Sequence, residues 1–352
     1  MQPFGVYVHI PFCAKRCDYC AFATWTDRDH LIDEYVAACR TEIRRAACRP
    51  ATSVFFGGGT PSLLPGYALA SILAEIDRVP GAEVTVECNP DTVSPELFAA
   101  YAAAGVNRVS LGVQSMVSHV LRSLGRSHDQ QNVVRAVRTA ADCGIERVNV
   151  DLIYGGKGES PSDWRQTVEA VLALDPAPTH VSAYALTIEP GTPLAKDPDR
   201  HPDDDDQADK YAVVDDLLAG AGLENYEISN WAVPGDECRH NLLYWQQGDY
   251  RGFGCAAHSH ADGRRWWNIR TPERYIRAVR DGAATEAGAE HLDAATRRFE
   301  ALELALRMRD GVPAAVLPVG ELEGFVEVIG DRAVLTRRGR LMANDIALRL
   351  HT

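Results

Sequence analysis

Three of the nine cysteines fall within eight residues, as Cys13-Ala-Lys-Arg-Cys17-Asp-Tyr-Cys20. Thiolates are the usual ligands of iron–sulfur clusters, and four of them saturate a cubane. Three close cysteines leave one iron without a protein ligand. Such an open position is where exogenous chemistry happens at catalytic metals. A zinc site calls instead for a fourth ligand nearby and paired C-x2-C spacing. His9, the one close candidate, lies inside an apolar strand-like run. The plainer alternative is three unrelated buried thiols. The other six cysteines (Cys39, Cys48, Cys88, Cys143, Cys238, Cys255) are scattered, as small buried hydrophobes are. An odd number of cysteines with no visible export signal argues against a disulfide framework.

Further along the chain, polar and glycine-rich groups recur after short apolar runs. Gly57-Gly58-Gly59 offers backbone that a ligand can approach closely, because no Cβ intervenes. Glu87 can accept from an ammonium or from ribose hydroxyls, and Arg126 can hold a carboxylate bidentately. Taken singly, such a Glu is a surface residue and such an Arg a solvated charge. Their order along the chain carries the weight.

Those residues must be positioned by regular elements. Strands are expected at Val6–Ile10, Val54–Phe56, Val84–Glu87, Arg108–Leu111, Arg147–Ile153 and His180–Leu186. Helices are expected at Leu31–Ala47, Tyr67–Asp77, Pro95–Ala104, Asn132–Cys143, Ser162–Leu174 and Gln207–Ala221. The first helix shows Leu31, Ile32, Tyr35, Val36, Cys39 and Ile43, spaced for one buried stripe. Continuous β-branched runs suit parallel strands buried on both faces. Six βα units predict an α/β fold, either a partial parallel (β/α)6-type barrel or a doubly wound sheet. In either, ligands sit at the C-terminal ends of the strands. The cysteines, glycines 57–59, Glu87, Gln114 and Asp151 all fall there.

The domain division expected is 1–270 and 271–352. The second part contains a helix at Ala294–Met308 and a hairpin of Phe325–Ile329 and Ala333–Thr336 around Gly330-Asp331. A closing helix is expected over Arg337–Leu350. The whole suggests a small winged-helix-like module with an interaction or lid role.

Composition bounds the partners. Lys and Arg number 36 against 49 Asp and Glu, a formal net charge of −13. Such a surface repels phosphate backbones, which argues against nucleic acid. The run Asp203–Asp206 reads as a solvated loop leading into the helix that carries Tyr211. No run of about 18 apolar residues exists, so no transmembrane segment is expected. With no secretory signal visible, the expected location is cytoplasmic.

The CxxxCxxC motif after Tyr7-Val8-His9-Ile10-Pro11-Phe12 resembles the radical S-adenosylmethionine superfamily. Gly58-Gly59-Thr60-Pro61 is similar to that superfamily's GGTP segment, whose backbone meets the methionine amino group. The resemblance implies a [4Fe–4S] cluster on Cys13, Cys17 and Cys20. It also implies S-adenosylmethionine held by Tyr7, Gly58, Gly59, Thr60, Glu87, Gln114, Arg126, Asp151 and Ala185. One electron from such a cluster would cleave the sulfonium carbon–sulfur bond.

Two subfamilies share this framework: the oxygen-independent coproporphyrinogen III dehydrogenases and the HemW-type haem chaperones. Three features favour the second. Phe22 stands where the dehydrogenases carry a fourth cysteine. Only twelve residues precede Cys13, where dehydrogenases have a long arm. His240-Asn-Leu-Leu-Tyr244-Trp245 matches the HNxxYW motif of the chaperones, which implies haem near His240, Tyr244 and Trp245. The implied activity is binding haem and passing it to haem-requiring acceptor proteins, such as respiratory ones, without coproporphyrinogen oxidation. A neutral imidazole is a common axial haem ligand, with the Cys238 thiolate and His258 as the alternatives to His240. A capping histidine beside two core aromatics is the other reading of the same residues. Two departures stand out. Gly156-Lys157 replaces the family's Leu-Pro, which predicts a looser loop after Gly155. Cys255 stands where the family has proline.

Overall fold

The structure is a computed structural model that describes residues 2–126 and 129–351; Met1, Ser127, His128 and Thr352 lie outside the described residues. The six expected strands are present: β1 (Phe4–Ile10), β2 (Ala51–Gly58), β3 (Arg78–Cys88), β4 (Arg108–Gln114), β5 (Arg147–Tyr154) and β6 (His180–Ala185). They lie side by side in sequence order, each parallel to its neighbour. That order excludes a doubly wound sheet, whose strand order reverses at a switch point. The connecting helices are α1 (Ile32–Ala46), α2 (Gly66–Leu73), α3 (Pro95–Ala104), α4 (Ser118–Ser123), α5 (Gln130–Asp142) and α6 (Pro161–Leu172).

The two faces of the sheet differ. Val6, Val8, Val54, Phe56, Val84, Val86, Val109, Leu111, Val148 and Val150 share one apolar core with the helices. The alternate positions Ser53, Glu83, Thr85, Arg108, Ser110, Asn149, His180 and Ser182 are also buried, but polar. Several of them satisfy one another: Asn149 donates to Ser110 and to Asp151, Ser110 donates to Asp151, and His180 pairs with Asn149. The strands therefore alternate with period two between an apolar outer face and a polar inner face. Thr85 and its like make these runs look continuously β-branched, which hid the alternation.

After β6 the chain forms α7 (Asp204–Gly220), then β7 (Glu224–Glu227) and β8 (Asn230–Ala232), which extend the sheet beyond β6. Asp203 caps α7 and Asp204–Asp206 form its first turn, where the helix dipole favours carboxylates; the acidic run is helical rather than a loop. A short helix, α8 (Arg239–Trp245), follows. Three strands then extend the other edge: β9 (Asp249–Phe253), parallel to β1, then β10 (His258–Ala261) and β11 (Arg264–Asn268). The turn between β10 and β11 is Asp262-Gly263, both at positive φ. That dipeptide is a strong hairpin signal, and it could have revealed these strands in the sequence.

After β11, α9 (Pro272–Arg280) buries Tyr275, Ile276 and Val279 in the first core, and β12 (Glu286–His291) pairs with β11 as the twelfth strand. A separate core gathers α10 (Ala294–Leu306), the sheet of β13 (Val312–Pro313), β14 (Val326–Ile329) and β15 (Arg332–Leu335), and α11 (Arg337–Leu341) and α12 (Ala343–Ala347). We propose that the domain division lies after His291, not near Thr271 as expected. The expected closing helix is two short helices with a break at Met342.

Candidate cofactor site

The three cysteines lie on the loop that leaves β1. Phe12 bridges to Trp25, the Cys13 N–H donates to the Trp25 carbonyl at 3.0 Å, and the Trp25 N–H donates to the Pro11 carbonyl at 2.8 Å. The loop also rests on the end of β2. The Gly59 N–H donates to the Ile10 carbonyl and the Thr60 N–H to the Phe12 carbonyl. A Cβ at Gly59 would come within 2.6 Å of the Phe12 oxygen and 3.1 Å of the Cys13 sulfur, so only glycine allows this approach. The Thr60 hydroxyl points to the Cys13 Sγ at 3.7 Å, and Arg126 Nη1 to the Cys17 Sγ at 3.6 Å. All three thiols are free. Burial pushes the Cys13 and Cys20 thiols up; the negative charge of Cys17 raises both further, and that of Cys20 raises Cys13. Among the described residues no three His, Cys, Asp or Glu side chains converge tightly enough to hold a single metal ion. A four-iron cubane, by contrast, takes one thiolate per iron at separate corners. Three free thiols on one stapled loop fit that group.

Several of the expected S-adenosylmethionine residues meet beside this loop. The Gly58 N–H donates to Glu87 Oε2 at 3.1 Å. A Cβ on Gly57 would touch both that carboxylate and the Tyr7 ring. Burial, and then the negative charge of Asp151, push the Glu87 carboxyl up to about 8. Gln114 and Arg126 converge over Gly112, whose carbonyl accepts from Arg126 Nη2 at 2.5 Å. Gln114 takes a positive φ there, ending β4 with a local kink. Ala185 closes β6 opposite Tyr154 and is exposed. The loop after Gly155 is pinned rather than loose: the Gly155 N–H donates to Glu159 Oε2, and the buried Lys210 amine pairs with the same carboxylate. Cys255 is accommodated as well. Its N–H donates to the Tyr35 hydroxyl at 2.9 Å, a bond that proline lacks the hydrogen to make.

The 240–245 motif lies elsewhere. Helix α8 enters the barrel from the N-terminal ends of the strands. Glu83 accepts from the N–H groups of Arg239 and His240 and is held by Arg147. His240 is fully buried and stacks on Phe55. Ser53 bonds its Nδ1 and the Tyr244 hydroxyl its Nε2, each at 2.9 Å. Both nitrogens of His240 are thus engaged within the protein, and the ring seats the helix. The Trp245 ring lies under the Arg307 guanidinium of α10. Cys238 is fully buried against Glu83. Of the motif, Tyr244 faces a cavity of about 400 Å³ between the barrel, the β10–β11 hairpin and α10. His258, one of the alternative ligands offered by the sequence, lines this cavity with Tyr7 and His9, and so do residues that the sequence reading missed: Tyr250, His260, Leu292 and Leu304.

The parallel barrel with three free cysteines beyond its first strand is the site of a radical S-adenosylmethionine protein, and the Radical SAM superfamily model matches residues 7–171. The structure is similar to that of coproporphyrinogen III oxidase (HemN) from Escherichia coli, with a TM-score of 0.86 at 22% identity over 99% of this chain and 89% of that one. Over its whole length the chain is similar to proteins named heme chaperone HemW. Identity is 42% to that of Mycobacterium tuberculosis (98% of this chain, 94% of the relative) and 35% to that of Escherichia coli (98% and 97%). The chain therefore belongs to the HemW family of the radical SAM superfamily, a membership that implies a [4Fe–4S] cluster and S-adenosylmethionine.

Proposed function

We propose that this protein binds haem and hands it to haem-requiring acceptor proteins. The observation that carries the reading is the full-length likeness to proteins named heme chaperone. In this reading Cys13, Cys17 and Cys20 hold the cluster and leave one iron open. Glycines 58 and 59, Thr60, Glu87, Gln114, Arg126 and Asp151 surround S-adenosylmethionine beside it, with Tyr7 and Ala185 at the edge of the adenosyl pocket. Cluster and S-adenosylmethionine together supply one-electron chemistry. The chain's own part is to orient the ligand's amine and carboxylate and to keep water out. Arg126 serves both groups, since its guanidinium already spans the Cys17 sulfur and the Gly112 carbonyl.

The test is anaerobic reconstitution, titration with haem, and mixing with an apo-haemoprotein. A haem absorption band that moves to the acceptor supports the reading. Turnover of coproporphyrinogen III at about 1 per second or faster overturns it in favour of the dehydrogenase.

A further inference from the structure

Where haem binds is open, because His240 offers no nitrogen. We propose that haem occupies the cavity between the barrel and α10, with His258 as its axial ligand. The proposal rests on the haem-binding reading above and adds the place and the ligand.

The argument runs through the histidines around the cavity. His9 donates from Nε2 to the Ala23 carbonyl at 2.9 Å and accepts the Tyr7 hydroxyl at Nδ1. His260 donates from Nδ1 to the Gly248 carbonyl and accepts the Gly263 N–H at Nε2. His240 is engaged at both nitrogens. His258 differs from all three. It is exposed to the cavity, and neither of its ring nitrogens has a hydrogen-bond partner among the described residues. Its ring is fixed by stacking on Trp267, 5.8 Å away at 29°. Burial, and then the charge of Arg265, lower its proton affinity, so a neutral imidazole faces the cavity. A neutral imidazole is the ligating form. The tyrosines compete poorly. The Tyr7 and Tyr244 hydroxyls are bonded to His9 and His240, and burial disfavours the phenolate of Tyr250.

The cavity suits a flat apolar ring. Tyr7, Tyr244, Tyr250, Leu292 and Leu304 line it beside the paired Arg265 and Glu300, and its volume of about 400 Å³ lies within the usual range for a ligand site. One wall, Leu304, stands on α10, the helix whose Leu306 is anchored in the second core rather than in the barrel.

The experiment titrates the reconstituted full-length protein with haem and, separately, with iron-free protoporphyrin IX. His258→Ala should weaken haem by at least the roughly 10-fold that losing even an outer-shell partner costs a metal site. It should also shift the haem band, and added imidazole should restore that band. Protoporphyrin IX should bind the variant as it binds the unaltered chain, and iron and sulfide content should not change. Leu304→Trp, which fills the cavity, should weaken both ligands. A His258→Ala titration and band identical to those of the unaltered chain overturn the ligand. Unchanged binding in Leu304→Trp overturns the cavity. Absence of haem binding to the unaltered chain instead overturns the functional reading itself.

Discussion

Cys17 is partly exposed and faces a guanidinium, whereas Cys39 is fully buried in the core of the helical layer. The two thiols should therefore behave differently. Cys17→Ser should abolish the cluster, because two thiolates rarely hold a cubane, while Cys39→Ser should retain it. Iron and sulfide analysis after anaerobic reconstitution checks both, and a full complement in Cys17→Ser would contradict the assignment. Glu87 is the cleaner probe of the S-adenosylmethionine site. A valine at Gly58 would sit at φ +111 and push its Cβ to 2.4 Å from the His9 ring, which is bonded to the cluster loop through Ala23. That change disturbs two sites at once. Glu87→Ala removes a hydrogen-bonding partner without adding bulk, and should weaken S-adenosylmethionine by about 10-fold, as loss of a buried hydrogen bond does, with the cluster intact. Calorimetry on the reconstituted variant reads the affinity.

Helix α8 shows how a motif can be structural and still lie near chemistry. Its first N–H groups fall on Glu83, its His240 on Ser53, and its Tyr244 forms a wall of the cavity. Burial holds the His240 imidazole at about 4, well below its ordinary value near 6.5. The unfolded chain thus binds a proton that the folded one refuses. Stability from this group is complete above pH 6.5 and is lost as pH falls from 6.5 through about 4, a difference of about 3 kcal/mol at the acid end. His9, lowered to about 4 as well, acts in the same window. Urea unfolding between pH 7 and pH 4.5 should therefore show steep acid destabilisation. His240→Gln, which keeps hydrogen-bonding capacity but does not titrate, should flatten the slope by about one proton. An unchanged slope would mean that the ring is not held neutral.

The two cores are joined by charge as well as by contact. Asp215 on α7 accepts from Arg337 and Arg340 of the second core and from the Trp231 indole of the first. Arg307 of α10 covers the Trp245 ring of α8. Asp215→Ala leaves the Arg340 guanidinium and the Trp231 indole N–H without their shared acceptor and Arg337 with Asp216 alone. It should cost about 2 kcal/mol and loosen the second core from the first. Thermal unfolding should split into two transitions, and protease should cut near Leu292. A single transition at the original temperature would show that the apolar contacts alone hold the cores together. Among the described residues no helix is long and apolar enough to cross a membrane.

The thiol spacing, the six strands and the glycine-rich strand ends were legible because each is local: eight residues for the cysteines, one strand for each apolar run. The polar inner face was not, since Thr85 reads as a strand former whichever way it points. The assignment of α9 to the first core was hidden too. Tyr275, Ile276 and Val279 have the spacing of any amphipathic helix, and which core receives them depends on chain folded back from far away. The same holds for the histidines. His240 stands in the motif that the sequence singles out, and His258 only among the alternatives to it. Whether an imidazole is free to ligate depends on what lies against its two nitrogens. For His240 those partners are Ser53, 187 residues away, and Tyr244 one helical turn on, while His258 has neither. Residue type and spacing carry the chemistry a chain is capable of; long-range contacts assign which copy of a side chain is left to perform it.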